Sequence, residues 1–403
     1  MIQVLRTDNP KEITQIMREV AVDPYGIKIM LPKAITHLVR MNSLSYISAN
    51  ILKQEMLSLG GDVALSRKAL TGGGGKTDCL LMGNLSQFNR LGEKLTLQPF
   101  GLSRMAADLS SAIENYGKRV FRLDLGRYSL KLGGARSSLM AILNLTPDSF
   151  SGDGLKGWDL NYILDIAMRM VEEGADIIDV GGESTRPGAK AVSAKEELKR
   201  VIPAIKVLAK KLNVPISVDT YKPEVAKASL DNGACMINDI CGLRDARIPK
   251  IAARYKAGIV IMHMQGKPRT MQKNPKYKSL ISDITEYLGA AVKQAKECGI
   301  RADRIIIDPG IGFGKSVADN LQILRRLSEF RLLGQPILVG TSRKSFIGKI
   351  LNAAVEERIS GSVASSLLAV ENGAHIVRVH DVKEVKQALK ILDAVRGSEP
   401  CIS

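Results

Sequence analysis

Residues 139–143 read Leu-Met-Ala-Ile-Leu and are followed by a polar residue, Asn144. A run that is apolar at every position, rather than at alternate positions, is typical of a strand buried on both faces of a sheet. Seven further short runs that are mainly apolar and rich in β-branched residues follow, at residues 176–180, 215–218, 235–238, 258–262, 304–307, 336–339 and 375–379. Helical patterns separate them, for example at residues 160–173, 195–212, 279–298 and 357–372.

This alternation of strand and helix predicts the fold class. Eight strands and their helices occupy roughly 260 residues, which matches the usual size of a (β/α)₈ TIM barrel. A doubly wound open sheet is the competing architecture, and periodicity alone does not exclude it. We therefore predict an α/β protein in which residues 132–403 form a TIM barrel and residues 1–131 form a smaller N-terminal α/β domain.

The composition is that of a soluble globular protein, with 45% hydrophobic and 25% charged residues. No apolar run is long enough to cross a bilayer, and the first ten residues lack the basic-then-apolar layout of a secretory signal. We therefore expect a cytoplasmic protein with no membrane partner. The five cysteines form no C-x-x-C pair, so a structural zinc site is not expected.

The formal net charge of +17 is spread along the chain. A nucleic-acid-binding protein usually concentrates basic residues on one face and adds aromatic side chains that stack on bases. Aromatic residues make up only 4% of this chain. We therefore expect no nucleic-acid partner, and interpret the charge as a solvated basic surface that attracts anionic substrates.

Every predicted strand ends in polar or charged residues. In a TIM barrel the active site lies where the strands end, at their C-terminal face. The residues at these ends are Asn144, Asp179 with Glu183, Asp219, Asn238 with Asp239, His263, Asp308, Ser342-Arg343-Lys344, and Arg378 with His380. A purely structural barrel would not need this pattern, whereas a ligand-binding mouth would.

The strand ends also carry short motifs that resemble those of the dihydropteroate synthase family over residues 137–395. The motifs are A-I-L-N-L-T-P-D-S-F (141–150), D-V-G-G-E-S-T-R-P-G (179–188), S-V-D-T (217–220), I-N-D-I (237–240), M-H-M-Q-G (262–266), D-P-G-I-G-F-G-K (308–315), G-T-S-R-K-S (340–345) and R-V-H-D (378–381). Each motif alone is weakly specific. Eight in order, one for each strand, are a specific signal.

The resemblance implies a transferase of folate biosynthesis. Such an enzyme condenses 6-hydroxymethyl-7,8-dihydropterin pyrophosphate with p-aminobenzoate and releases 7,8-dihydropteroate and pyrophosphate. The reaction needs no covalent enzyme nucleophile, because the protein orients the substrates and stabilises the departing anion. The family also implies Mg²⁺ as cofactor and a homodimer.

Site residues follow from the resemblance by position. The pterin would be bound by Asp219, Asn238, Asp308 and Lys344, since carboxylates and amides suit its edge of donors and acceptors. The pyrophosphate would be held by Asn144, Thr185, Arg378 and His380, with Asn144 also a Mg²⁺ ligand. The p-aminobenzoate would be contacted by Phe150, Arg186, Pro187, Phe313 and Ser345, together with Lys344. Catalysis would depend on Lys344, Arg378, His380 and Asp219.

One departure and two alternatives remain. The family's first loop continues S-D-G-G after its phenylalanine, whereas residues 151–154 read Ser-Gly-Asp-Gly, which leaves the role of Asp153 in doubt. A corrinoid-linked, pterin-dependent methyltransferase would share the barrel and the pterin-binding residues but would need no pyrophosphate site. A non-catalytic pterin-binding or basic RNA-binding protein would tolerate loss of Asn144, Arg378 or His380, and all three are present. The choice between a folate and a methanopterin pathway stays open.

The N-terminal third contains no motif that assigns a role. Helical patterns near residues 11–20, 44–59 and 102–116, with apolar runs at 27–31 and 79–82, predict a small α/β unit. The segment Thr71-Gly-Gly-Gly-Gly-Lys-Thr77 invites comparison with a phosphate-binding P-loop. A P-loop would need glycine at position 70, where Leu70 stands, and a strand directly before it. We expect a flexible loop there and a docking or oligomer-forming module overall.

Overall fold

The computed structural model describes residues 2–5, 7, 9–71, 74–134, 136–146, 159–184, 191–266, 270–272 and 275–397. The chain divides into two compact units, Met1–Glu114 and Asn115–Ser403. Among the described residues, no helix is both long and apolar enough to span a membrane.

The first unit is built around a three-stranded antiparallel sheet with strand order β1-β3-β2. Its strands are β1 (Thr36–Ser45), β2 (Asp62–Leu65) and β3 (Lys76–Asn84). Its helices are α1 (Pro10–Glu19), α2 (Pro24–Ala34), α3 (Tyr46–Ser58), α4 (Arg67–Leu70), α5 (Leu85–Leu95) and α6 (Leu102–Gly117), the last of which ends beyond Glu114. Apolar side chains of α3, α5 and α6 pack on one face of the sheet and form a separate core.

Two segments of this unit differ from a strand and from a P-loop. The apolar run 27–31 lies in helix α2 rather than in a strand, because Pro24 opens the helix and the Asp23 side chain accepts from the backbone N–H of Gly26. A short apolar run cannot be assigned to strand or helix by periodicity alone. The glycine-rich segment follows helix α4 and precedes strand β3, the reverse of the strand-then-helix order of a P-loop.

The second unit begins with a β-hairpin, β4 (Val120–Leu125) and β5 (Tyr128–Gly133). Its apolar side chains Phe121, Leu123, Leu125 and Leu132 are buried in one cluster with residues near the starts of the barrel strands. The sequence boundary after residue 131 assigns this hairpin to the N-terminal domain, whereas the compact units place it with the barrel. The physical reason is that its apolar face has its partners in the barrel.

The remainder of the second unit alternates strands and helices. The strands are β6 (Ser138–Asn144), β7 (Ile177–Gly181), β8 (Ile216–Asp219), β9 (Met236–Asp239), β10 (Gly258–Met262), β11 (Ile305–Asp308), β12 (Leu338–Val339) and β13 (Ile376–Val379). The helices are α7 (Leu160–Glu172), α8 (Ala194–Lys211), α9 (Pro223–Asp231), α10 (Arg247–Tyr255), α11 (Leu280–Glu297), α12 (Val317–Arg325), α13 (Ser345–Leu351), α14 (Ile359–Glu371) and α15 (Val382–Val395).

All eight strands are parallel and neighbouring strands pair in sequence order. The last strand, β13, pairs with the first, β6. A bridge between Ile307 and Ile337 joins β11 to the segment before β12 and completes the ring. The arrangement is a (β/α)₈ barrel, which confirms the predicted fold class and excludes the doubly wound open sheet.

Alternate residues of each strand face opposite sides of the barrel wall, one side towards the helices and the other towards the barrel interior. On β7, Ile178 and Val180 pack with the surrounding helices, whereas Ile177 belongs to the apolar cluster that includes the hairpin. Asp179, two residues after Ile177, is completely buried further up the same strand. The barrel interior is therefore apolar at the N-terminal end of the strands and polar at their C-terminal end.

Candidate active site

Four side chains from four strands form a buried network at the C-terminal end of the barrel. The Arg378 guanidinium donates from Nε to Asp179 Oδ2 and from an Nη atom to Asp219 Oδ2, both at 2.6 Å. The Asn238 amide donates to the same Asp179 oxygen at 2.9 Å. One arginine therefore links two carboxylates that are 40 residues apart in the chain, and the predicted residues Asp219, Asn238 and Arg378 are in one place.

Each carboxylate in this network has one oxygen that no donor among the described residues reaches. Oδ1 of Asp179 and Oδ1 of Asp219 are buried and accept no hydrogen bond from the described residues. Burial raises the pKa of Asp219 well above its ordinary value, while the Arg378 guanidinium opposes that rise. In a folded protein, a buried acceptor that receives no hydrogen bond lowers the free energy of unfolding. A ligand that presents N–H groups would satisfy them.

A second pair of charged side chains, Asp308 and Lys344, lies near this network. Asp308 Oδ1 accepts from the backbone N–H of Gly310 at 2.7 Å, and burial raises the pKa of its carboxyl. Burial lowers the pKa of Lys344 to about 8, although the nearby Asp308 carboxylate opposes the change. The Lys344 ammonium donates to the carbonyl of Ile311 and lies 4.2 Å from the centre of the Phe313 ring, a cation–π distance.

The ends of β12 and β13 are joined by hydrogen bonds. Ser342 Oγ lies 3.1 Å from His380 Nδ1 and also accepts from the His380 backbone N–H at 3.2 Å. The predicted anion-binding residue His380 is thus held next to the loop that carries Lys344. Ser345, the first residue of α13, is exposed.

Asn144, the predicted Mg²⁺ ligand, ends strand β6. It pairs across the sheet with Gly181, which in turn pairs with Asp219 on the next strand, so Asn144 and Asp219 lie at the same level of the barrel. Within the ranges that the structure describes, no group of three His, Cys, Asp or Glu side chains could hold a metal ion by itself.

Phe150, Thr185, Arg186 and Pro187 lie outside the described residues. On the near side of the segment 185–190, Glu183 forms an ion pair with Lys222 and accepts from the Tyr221 hydroxyl at 3.2 Å. Its other carboxylate oxygen accepts from the backbone N–H of Val192, on the far side of that segment, at 3.4 Å. Glu183 therefore links the described residues on either side of the segment 185–190.

Sequence reasoning noted Asp179 at a strand end but assigned it no site role, and it also omitted Lys315. The available signal for Asp179 was the alternation along its strand. Every second residue of a barrel strand faces the interior, and Asp179 lies two residues before Gly181, which pairs with Asn144 and Asp219. Lys315 closes the D-P-G-I-G-F-G-K motif and is almost fully buried. Without knowledge of its partners, a lysine that follows a glycine-rich loop is expected to lie on the surface.

Comparison with known proteins supports the same assignment. The family described as pterin binding enzyme matches residues 140–380. The dihydropteroate synthase of Escherichia coli K12 is 46% identical over 264 residues, which are 65% of this chain and 92% of that protein. The structure of Burkholderia cenocepacia dihydropteroate synthase complexed with 7,8-dihydropteroate superposes with a TM-score of 0.63 at 42% identity, covering 70% of this chain and 98% of that chain.

A third match extends further along the chain. The probable bifunctional folylpolyglutamate synthase/dihydropteroate synthase of Halobacterium salinarum is 39% identical over 389 residues. The match covers 96% of this chain and 46% of that protein, so it includes most of the N-terminal unit. The resemblance inferred from the eight motifs is confirmed, and the chain belongs to the pterin binding enzyme family and, within it, to the dihydropteroate synthases.

Proposed function

We propose that this chain condenses 6-hydroxymethyl-7,8-dihydropterin pyrophosphate with p-aminobenzoate to give 7,8-dihydropteroate and pyrophosphate. The observation that carries the proposal is the buried Asp179–Arg378–Asp219 network, in which two carboxylate oxygens receive no hydrogen bond from the part of the chain that the structure describes. A pterin edge carries an amine and ring N–H groups that can donate to such oxygens. Relatives with this activity match the barrel at 42–46% identity.

The chemistry asked of the protein is orientation and charge stabilisation. Arg378 uses two of its five N–H donors on Asp179 and Asp219. Its remaining N–H groups, together with His380, can donate hydrogen bonds to the departing pyrophosphate and stabilise the negative charge that develops on it. Lys344 can donate to the pterin, and the Phe313 ring beside it offers an apolar surface for the arylamine, whose nitrogen then attacks the pterin methylene.

The direct test is to incubate the purified protein with both substrates and Mg²⁺ and to measure dihydropteroate and released pyrophosphate. We expect equal amounts of the two products. Lys344→Ala should form neither, because it removes the donor between pterin and arylamine. A protein that binds the pterin but releases no pyrophosphate would support the non-catalytic alternative. Methyl transfer from a methylated pterin to a corrinoid would support the methyltransferase.

We further propose that Mg²⁺ enters this site together with the pyrophosphate group. The amide oxygen of Asn144 suits a hard cation, but no cluster of three acidic or histidine ligands accompanies it among the described residues. Mg²⁺ commonly uses one protein ligand with phosphate oxygens and water. Calorimetry should then detect Mg²⁺ binding in the presence of pyrophosphate and not in its absence. Equal binding without pyrophosphate would contradict this order.

A homodimer is also proposed. Ile350 and Leu351 at the end of α13 are half exposed, and Leu368 on α14 exposes 56% of its surface. Clustered exposed apolar side chains commonly mark a protein–protein interface. Light scattering should give the mass of two chains, and Leu368→Glu should shift it towards one. An unchanged mass in that variant would argue against this face.

We propose a cytoplasmic location for the enzyme. Four cysteines (Cys79, Cys235, Cys241 and Cys298) have free thiols, and reduced thiols are usual in the cytosol. Cell fractionation with an antibody to the chain would test the location, and recovery in the membrane or secreted fraction would contradict it.

For the N-terminal unit we propose docking to a folylpolyglutamate synthase. The match with the E. coli enzyme spans 264 residues, about the length of the barrel, whereas the match with the bifunctional H. salinarum protein also includes this unit. The outer face of its sheet carries Leu38, which is 72% exposed and lies opposite Met82.

The docking proposal can be tested with the full chain. Calorimetry against a purified folylpolyglutamate synthase of the same organism should show binding, and Leu38→Glu should weaken it. Tyr25→Glu, an exposed change on α2, is the matched control. Equal affinity in all three proteins, or no binding at all, would contradict the proposal.

A further inference from the structure

The loop that follows strand β11 has an unusual hydrogen-bond pattern. Five consecutive backbone carbonyls, from Gly310 to Gly314, each accept from a different donor. The donors are the Phe313 backbone N–H to Gly310, Lys344 Nζ to Ile311, Gln272 Nε2 to Gly312, Lys315 Nζ to Phe313 and the Tyr277 hydroxyl to Gly314. Surface loops usually leave such carbonyls to water. This loop is instead fixed by side chains from three separate segments of the barrel mouth.

Lys315 contributes to this loop in a way that requires explanation. Its side chain is 3% exposed, and its ammonium has three neighbours: His263 Nδ1 at 3.0 Å, the His263 carbonyl at 3.3 Å and the Phe313 carbonyl at 3.0 Å. None of the three is a carboxylate. Burial lowers the pKa of His263 to about 2, so its ring is neutral and Nδ1 can accept.

A buried lysine costs several kcal/mol unless its hydrogen bonds repay the loss of water (of order several kcal/mol per ion). Burial also lowers the pKa of Lys315 to about 7, although the nearby Asp308 carboxylate opposes the change. In its protonated form its three N–H donors match the three acceptors, which belong to the loop and to His263 at the end of β10. The position of Lys315 therefore serves the placement of this backbone rather than a salt bridge.

The loop also fits closely on the end of strand β10. Gly310 has a φ of +73°, and a Cβ there would lie 1.9 Å from the His263 carbonyl oxygen. Gly314 has a φ of +62°, and a Cβ there would lie 2.7 Å from the Gln265 carbonyl oxygen. Side chains at these positions are excluded by both sterics and backbone conformation. The position of the loop is thus fixed both by close packing on residues 263–265 and by the side-chain hydrogen bonds to its carbonyls.

We propose that Gln272, Tyr277 and Lys315 are positioning residues. They hold Phe313 and Lys344 in the positions in which both contact the arylamine substrate. The Lys344 ammonium donates to the loop at Ile311 and lies over the Phe313 ring, so a shift of the loop displaces both groups together. This inference rests on the proposed synthase function. It predicts that these three residues control p-aminobenzoate use without contacting it.

The test removes one donor at a time. Tyr277→Phe, Gln272→Leu and Lys315→Met should each raise the KM for p-aminobenzoate about fivefold or more, since one hydrogen bond is worth roughly 1 kcal/mol. The Kd of the pterin pyrophosphate, measured by calorimetry, should rise by a smaller factor than this KM, because Asp219, Asn238 and Asp308 still bind the pterin when Lys344 is displaced. Tyr255→Phe is the matched control, because it removes a hydroxyl that donates to Asp231 on the helical layer.

The outcomes separate the two proposals. An active parent whose variants keep the parental KM for p-aminobenzoate would overturn the positioning role and leave the synthase intact. Equal losses for both substrates would also overturn it, because they indicate a general structural defect. An inactive parent would overturn the synthase function and this inference with it. If Lys315→Met does not fold, Tyr277→Phe and Gln272→Leu still decide the question.

Discussion

Arg343 and Asp381 form a two-bond ion pair that joins the loops after strands β12 and β13. Arg343 Nε donates to Asp381 Oδ2 at 3.0 Å, and an Nη atom donates to Oδ1. Asp381 is the N-cap residue of α15, yet its side chain makes no cap hydrogen bond. Arg343 has a φ of +55°, a strained value for a side chain other than glycine. Lys344 follows Arg343 and His380 precedes Asp381, so the ion pair helps to fix the distance between Lys344 and His380.

We predict that Asp381→Ala lowers kcat at least tenfold. The change removes the two side-chain bonds between Arg343 and Asp381, so the loops that carry Lys344 and His380 keep the Ser342–His380 hydrogen bonds but lose their ion pair. Because Arg343 is about one-third exposed, the stability loss should be about 1–2 kcal/mol. Steady-state kinetics and thermal unfolding measure the two effects.

Lys227→Ala is the control for this prediction, since it removes an exposed ion pair with Asp231 on α9. Arg343→Met should reproduce the Asp381→Ala effect, and the double variant should lose little more, because both changes break one interaction. Additive losses would show that the two residues act independently.

The activity should decline as the pH rises above about 8. Burial lowers the pKa of Lys344 to about 8, and only its protonated form can donate to the pterin and the loop at once. The pH profile of kcat/KM, which reports the free enzyme, measures this value. In Lys344→Arg, any remaining activity should persist to higher pH, since a guanidinium stays charged. An identical decline in that variant would assign the titration to another group.

The position of the site could be predicted from the sequence because strand ends are visible in it. Asp219, Asn238 and Arg378 lie at or next to the ends of apolar runs, and parallel strands of a barrel bring their C-terminal ends together. The structure confirms that these side chains meet. Their roles towards each substrate remain predictions, as do those of Thr185 and Phe150.

Other features depend on contacts that sequence patterns do not encode. The domain boundary predicted after residue 131 falls inside the hairpin at residues 120–133, because apolar positions in a sequence reveal burial and not the partner. Lys315 could not be selected, because its three acceptors include a ring nitrogen and a carbonyl more than 50 residues away. Asp179 was recognisable as a strand end, but its bond to Arg378 depends on a pairing across the barrel.

Arg378→Ala should abolish product formation and also destabilise the barrel by about 3 kcal/mol. Removing the guanidinium leaves Asp179 and Asp219 buried beside each other without the ion pairs that both form with it. Adding Asp179→Asn should recover part of the stability, because it removes one of the two charges, but it should not recover activity. Thermal unfolding and pyrophosphate release separate these effects. Activity in either variant would contradict the role of Arg378.

The hairpin should matter for stability and not for chemistry. Leu132 is fully buried against residues at the N-terminal ends of the strands, opposite to Asp219 and Arg378. Leu132→Ala should therefore lower the free energy of unfolding by about 2–5 kcal/mol, the usual cost of a large-to-small change in a core. Val120→Ala, on the exposed side of the same hairpin, should change it by less than about 0.5 kcal/mol. Urea denaturation followed by circular dichroism measures both values. The kcat of the folded Leu132→Ala enzyme should equal that of the parent, and a reduced kcat would show that the hairpin influences the mouth of the barrel.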